Sequence, residues 1–133
     1  MVYGERRAVR RIGDAVLSAL LFFNVAAILA FLISPYKLLV VRSDSMEPAI
    51  PVGSVLLVER VRDGDVLSVG DVVTYKRPGV PFTITHRIVE VTERGFIMKG
   101  DNLIEPDGEI LREWVRYRVI GCFLMEQEWG EGG

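Results

Sequence analysis

Along the chain the spacing of apolar and polar positions changes character once. From Ala15 to Ile33 no charged residue occurs, and only Ser18 and Asn24 interrupt an otherwise apolar run. As a helix these 19 residues span about 28 Å at about 1.5 Å per residue, close to the roughly 30 Å hydrocarbon core of a bilayer. The run is longer than the apolar part of a cleaved leader, and no small-x-small exit site follows it. A buried core helix would carry polar punctuation that this run lacks. The pattern therefore predicts one retained transmembrane helix, stopped by Pro35. Arg6, Arg7, Arg10 and Arg11 precede the span, whereas only Lys37 and Arg42 follow closely. The positive-inside bias then makes residues 1–14 a cytoplasmic flank, 15–34 the anchor and 35–133 an extracytoplasmic domain of a single-pass protein of the cell membrane.

After the anchor the period shortens. Leu38–Val41, Ser54–Arg60, Asp71–Lys76, Phe82–Val91, Phe96–Lys99 and a run from Val115 towards Met125 read as strands, separated by turn formers such as Arg62-Asp63-Gly64-Asp65, Pro78-Gly79-Val80-Pro81 and Glu93-Arg94-Gly95. Short strands with this punctuation predict a mainly β fold, an all-β sandwich or barrel behind one N-terminal helix. There is no internal repeat and no second folded domain, and Gly130–Gly133 reads as a frayed tail.

Composition narrows the function classes. The chain has 133 residues, half of them apolar, and a net charge of −2. Much of the apolar excess sits in the anchor, leaving one small domain of ordinary soluble composition. A charge this close to neutral gives no reason to expect nucleic acid as a partner. Cys122 is the sole cysteine, so no disulfide forms within the chain, and its apolar surroundings read as those of a buried small hydrophobe. The sequence offers no metal cluster and no cofactor site. The bilayer is one partner, and Asn24, able to bond across to another helix or back onto its own, leaves room for membrane protein partners.

Candidate chemistry begins at Ser43-Asp44-Ser45-Met46-Glu47-Pro48, two hydroxyls one residue apart ahead of an apolar side chain and a proline. A serine needs a base before it attacks, and the chain contains a single histidine, His86. Alternation along the Phe82 strand puts Phe82, Ile84, His86 and Ile88 on one face. Desolvation there favours a neutral imidazole. The same placement also fits a satisfied core histidine, with Phe82 as core or, with Val80, as an apolar tip at the lipid interface. The loop from Lys99 to Gly108 supplies Asp101 and Asp107, either of which suits the second nitrogen of a base histidine. Gly-Asp-Asn and Pro-Asp-Gly are equally strong turn formers. Two rival readings stand beside a serine–histidine protease. One is a self-cleaving or processing protease with Lys76 or Lys99 as base. The other is a non-catalytic, membrane-tethered β domain that binds a partner. A histidine base predicts activity rising through a limb near pH about 6.5, which a lysine base does not.

Taken together, these boxes resemble the type I signal peptidases, and within them the archaeal and endoplasmic-reticulum branch. Ser43–Pro48 is similar to that family's Ser-x-Ser-Met-x-Pro box, and Gly70-Asp71-Val72-Val73 to its Gly-Asp-Val-Val box. His86-Arg87 stands where the bacterial branch has Lys-Arg, and Gly100-Asp101-Asn102 with Asp107 resembles the Gly-Asp-Asn box and its second aspartate. Pro106 and Gly108 flank Asp107 where eukaryotic members usually carry acids. The resemblance implies Ser45 as nucleophile, His86 as general base, Asp107 orienting it and Asp101 in support, with an oxyanion held by Ser43 and the Ser45 backbone. It implies removal of signal peptides from secreted preproteins, with small residues at the first and third positions before the cut. Only 12 residues separate Ile33 from Ser45, a reach of at most roughly 43 Å, which keeps the serine near the membrane surface. Strand Leu38–Val41, leading into the serine, is the candidate edge for an extended substrate.

Overall fold

The computed structural model describes residues 2–124, and the expected strand end at Met125 and tail at Gly130–Gly133 lie outside the described residues. The chain divides after Ser34 into two units.

The first unit is one helix, α1 (Val2–Ile33). It is long and apolar enough to cross a membrane. It extends through the basic flank, where arginine and alanine are good helix formers and Glu5 sits favourably in the first turn. All its residues are exposed, and a helix apolar around its whole circumference suits lipid rather than water. Asn24 Nδ2 donates to the Leu20 carbonyl at 2.7 Å, so its amide is satisfied within its own helix. The helix closes with Ser34 N–H on the Phe31 carbonyl, immediately before Pro35.

The second unit is a single antiparallel sheet of seven strands, ordered β1-β2-β7-β3-β4-β5-β6. These are β1 (Tyr36–Val40), β2 (Val55–Arg60), β3 (Val72–Tyr75), β4 (Ile84–Val91), β5 (Gly95–Lys99), β6 (Glu109–Leu111) and β7 (Val115–Phe123). A 3-10 turn, Arg112–Trp114, joins the last two. Alternation sets the core. Leu56 and Val58 of β2 bury inward with Met46 and Ile50, while Val73, Ile88, Phe96 and Met98 form a second cluster between β3, β4 and β5.

Two expectations are corrected. Phe82 is neither in a strand nor in the core: β4 begins at Ile84, Pro81 and Phe82 form a bend ahead of it, and Phe82 is 61% exposed. Cys122 is exposed rather than buried. Burial declines along β7 from Val115 to Phe123, so the far end of that strand carries its apolar side chains outward.

Candidate active site

Three segments converge: the turn after β1, the start of β4 and the loop after β5. His86 lies on β4 opposite Val73 of β3 and is 5% exposed. Its Nδ1 contacts Asp107 Oδ2. That carboxylate is positioned by its backbone, since Asp107 N–H donates to the Met98 carbonyl at 2.7 Å and the Arg77 guanidinium donates to the Asp107 carbonyl. A carboxylate on Nδ1 places the ring proton there and leaves Nε2 as an acceptor. Nε2 faces Gly100: a Cβ built on that glycine would lie 3.0 Å from Nε2 and 2.6 Å from the Ser45 carbonyl oxygen. His86 and the serine turn therefore abut across a residue with no side chain.

The serine turn is anchored on both sides. Met46 is buried in the core. Asn102 N–H donates to the Ser45 carbonyl at 2.9 Å, and its side-chain amide donates to the Asp44 carbonyl at 3.1 Å. Ser45 Oγ lies 3.3 Å from Ser43 Oγ and makes no hydrogen bond to His86. Both line one cleft of about 750 Å³ together with Ser43, Leu39, Val41 and Ile84.

Asp101 faces elsewhere. Arg87 grips it through Nε at 2.9 Å and Nη2 at 2.8 Å, while Arg87 Nη1 donates to the Gly70 carbonyl at 2.8 Å. The Arg87 hydrogen bonds hold the Asp101 carboxyl below the usual carboxylate range, against some desolvation, and raise the guanidinium in turn. Of the two aspartates in the loop, Asp107 is on the imidazole and Asp101 is on Arg87, one residue beyond it.

No family model matches the chain. Signal peptidase I W of Bacillus subtilis (strain 168) is 42% identical over 94 residues, which is 67% of this chain and 49% of that protein. The signal peptidase complex catalytic subunit SEC11C of Homo sapiens is 34% identical over 115 residues, 80% of this chain and 58% of that protein. The sec11 subunit of Neurospora crassa is 36% identical over 90 residues, 65% and 52% of the two chains. The chain is thus homologous, over two thirds or more of its own length, to proteins named signal peptidases. It spans about half the length of the curated relatives it matches.

The boxes that carry the resemblance are joined to one another by hydrogen bonds, and Ser43, Ser45 and His86 line the cleft. The Gly70 carbonyl receives Arg87, the Ser43–Pro48 turn is clamped by Asn102, and His86 is backed by Asp107. Lys99, one of the lysines open to a base role, donates through Nζ to the Gly100 carbonyl at 3.1 Å, and Lys76 is exposed. Among the described residues no group of three or more His, Cys, Asp or Glu could hold a metal ion.

Sequence reasoning missed Tyr75 and Arg77, and named Arg87 beside His86 without giving it a role. Tyr75 O–H donates to Asp107 Oδ2 at 2.9 Å. Burial first, and then this bond to a carboxylate, push the Tyr75 phenol well above its ordinary pKa. One signal was available: a tyrosine two residues from Val73 on an inward-facing strand must find a partner for its hydroxyl.

Proposed function

We propose that the protein is a membrane-bound serine endopeptidase that removes N-terminal signal peptides from secreted preproteins. The observation that carries this reading is the buried imidazole, held by Asp107 at Nδ1 and turned by Nε2 towards Gly100 and the Ser45 turn. Ser45 Oγ leaves Ser43, attacks the scissile carbonyl and passes its proton to His86 Nε2. The imidazolium is stabilised by Asp107 and returns the proton to the leaving amine. Water then hydrolyses the acyl-enzyme by the same route in reverse. The Ser45 N–H and the Ser43 hydroxyl hold the oxyanion. Asp101 supports the site through Arg87, tying the loop that clamps Ser45 to the strand that carries His86.

The substrate lies extended in the cleft between β1 and residues 81–86, with small side chains at the first and third positions before the cut fitting its apolar wall of Leu39, Val41 and Ile84. Helix α1 anchors the enzyme in the cell membrane with its basic end in the cytoplasm, and confines enzyme and substrate to one surface.

The test is cleavage of one preprotein in liposomes by a set of variants. Ser45→Ala and His86→Ala should each lower kcat by at least about 10³-fold, and Asp107→Ala by about 10²–10⁴-fold. Ser43→Ala, removing one oxyanion donor, should cost about 10²–10³-fold. Normal turnover by Ser45→Ala would refute the reading. An unaffected His86→Ala would transfer the base role to a lysine.

A further inference from the structure

We propose that Tyr75 is a positioning residue of this site: its hydroxyl donates to the same Asp107 oxygen that faces His86, fixing the carboxylate and drawing off part of the charge it offers the imidazole. The proposal deepens the serine–histidine reading and rests on it for its kinetic consequence only.

Val73 lies opposite His86 and Tyr75 opposite Ile84, so Tyr75 is the diagonal neighbour of the histidine across the β3–β4 pair. The two rings stand 6.5 Å apart, centroid to centroid, at 63°. From that position the phenol reaches past the imidazole to Asp107 Oδ2 at 2.9 Å. Tyr75 is 1% exposed, and among the described residues its hydroxyl has no other partner. For packing alone a phenylalanine would fill the same space without a polar group to desolvate. A buried hydroxyl in this place is offset only by a bond to an ionised acceptor, the strong kind.

The rest of Asp107 is already held. Its N–H is bound to β5 through Met98, and its carbonyl by Arg77. What the backbone leaves undetermined is the rotation of the carboxylate. Oδ2 takes both the tyrosine and the histidine, while Oδ1 accepts no hydrogen bond from the described residues. Without the phenol the carboxylate can turn. It also keeps charge that the phenol now shares, and a more basic carboxylate stabilises the imidazolium more strongly.

The charged and titratable groups around His86 are Asp107 on the loop, Tyr75 on β3, Arg77 just beyond it, the Arg87–Asp101 pair and Lys99. Removing one hydroxyl leaves the others in place. The predicted direction is therefore set by Asp107 alone.

The chain holds a single histidine, so the imidazole can be followed without assignment ambiguity. The experiment is an NMR pH titration of labelled histidine in the full chain in detergent micelles, native against Tyr75→Phe, beside kcat/KM pH profiles with a preprotein. In Tyr75→Phe the imidazole midpoint should rise by roughly half a unit or more, the size of a partial change in a charge-assisted bond. The acid limb of kcat/KM should move with it, and kcat at neutral pH should fall about 3–10-fold. A folded Tyr75→Phe protein with an unmoved midpoint overturns the proposal. If Tyr75→Phe does not fold, 3-fluorotyrosine at position 75 provides a more acidic donor in the same space. Its midpoint should fall, and an unmoved one again overturns the proposal. A midpoint that shifts in a protein that cleaves nothing would sink the peptidase reading and leave the Tyr75 inference standing.

Discussion

Gly100 sits between the Ser45 turn and His86, and the space it leaves is what lets them approach. A methyl group at its Cα would lie 2.6 Å from the Ser45 carbonyl and 3.0 Å from His86 Nε2, and the first of these neighbours is backbone that cannot swing aside. Gly100→Ala should therefore lower kcat by at least about tenfold, as sub-ångström misplacement of reacting groups does; steady-state cleavage beside a melting curve separates this from unfolding. Asp101 makes a different prediction. Its pKa is depressed in the fold by Arg87, so the pair contributes stability above the unfolded carboxyl value of about 3.9 and loses it as pH falls through the lower folded value. Urea midpoints of native protein and Asp101→Asn should differ by a constant amount above about pH 5 and converge well below about pH 4. A difference that grew on acidification would contradict the pairing. At this scale the sequence was legible where chemistry is scarce: one histidine, one Ser-x-Ser turn and two aspartates in a single loop. It was not legible where partners are distant, since Tyr75 and Arg77 reach Asp107 across 32 and 30 positions. Nor did periodicity show that Pro81 would take Phe82 off the strand and into solvent.

Among the elements, β1 stands at one end of the sheet and lines the cleft through Leu39, Val40 and Val41. Val41 exchanges both backbone bonds with the β2 side, donating to Ser54 and accepting from Gly53, each at 2.9 Å. Strand groups alternate in direction, so the Val40 N–H and C=O point away from β2, towards an edge that is open among the described residues. A substrate strand docking there uses those groups. Val40→Pro removes the N–H without breaking a bond to β2, and proline is tolerated on edge strands. It should lower kcat/KM by about 3–10-fold, the worth of one hydrogen bond, with the urea midpoint nearly unchanged. An equal loss of stability and activity would place the Val40 N–H inside the fold instead. The strands themselves were readable, because alternation and Gly, Pro and Asp punctuation are local signals. Their order was not, since β7 inserting between β2 and β3 depends on pairings far apart in sequence. The open edge could be named beforehand, but not the strand facing it across the cleft.

For the whole molecule, the period changes at Pro35, where a run apolar on every side gives way to one alternating in and out, and the two bury surface in incompatible ways. Helix α1 spans Val2–Ile33, so it takes in residues well before the apolar run: the arginines do not interrupt helical backbone. The chain divides into two compact units after Ser34. Among the described residues every buried core residue lies at Met46 or beyond, so a protein beginning at Pro35 should retain the melting temperature of the β unit. If the anchor's contribution is confinement, that protein should cut a short soluble signal-peptide fragment with kcat/KM unchanged. It should cut a preprotein embedded in liposomes about 10²–10³-fold more slowly at micromolar enzyme, because a tether replaces a micromolar encounter with an effective concentration in the millimolar range. Fusing an unrelated single-span helix ahead of Pro35 should restore the rate, since confinement depends on spanning and not on which apolar side chains span. A chimera that stays slow on the embedded substrate, yet fast on the soluble one, would mean that residues 2–34 recognise the signal sequence themselves. The side chains to examine would then be those of α1, beginning with Asn24.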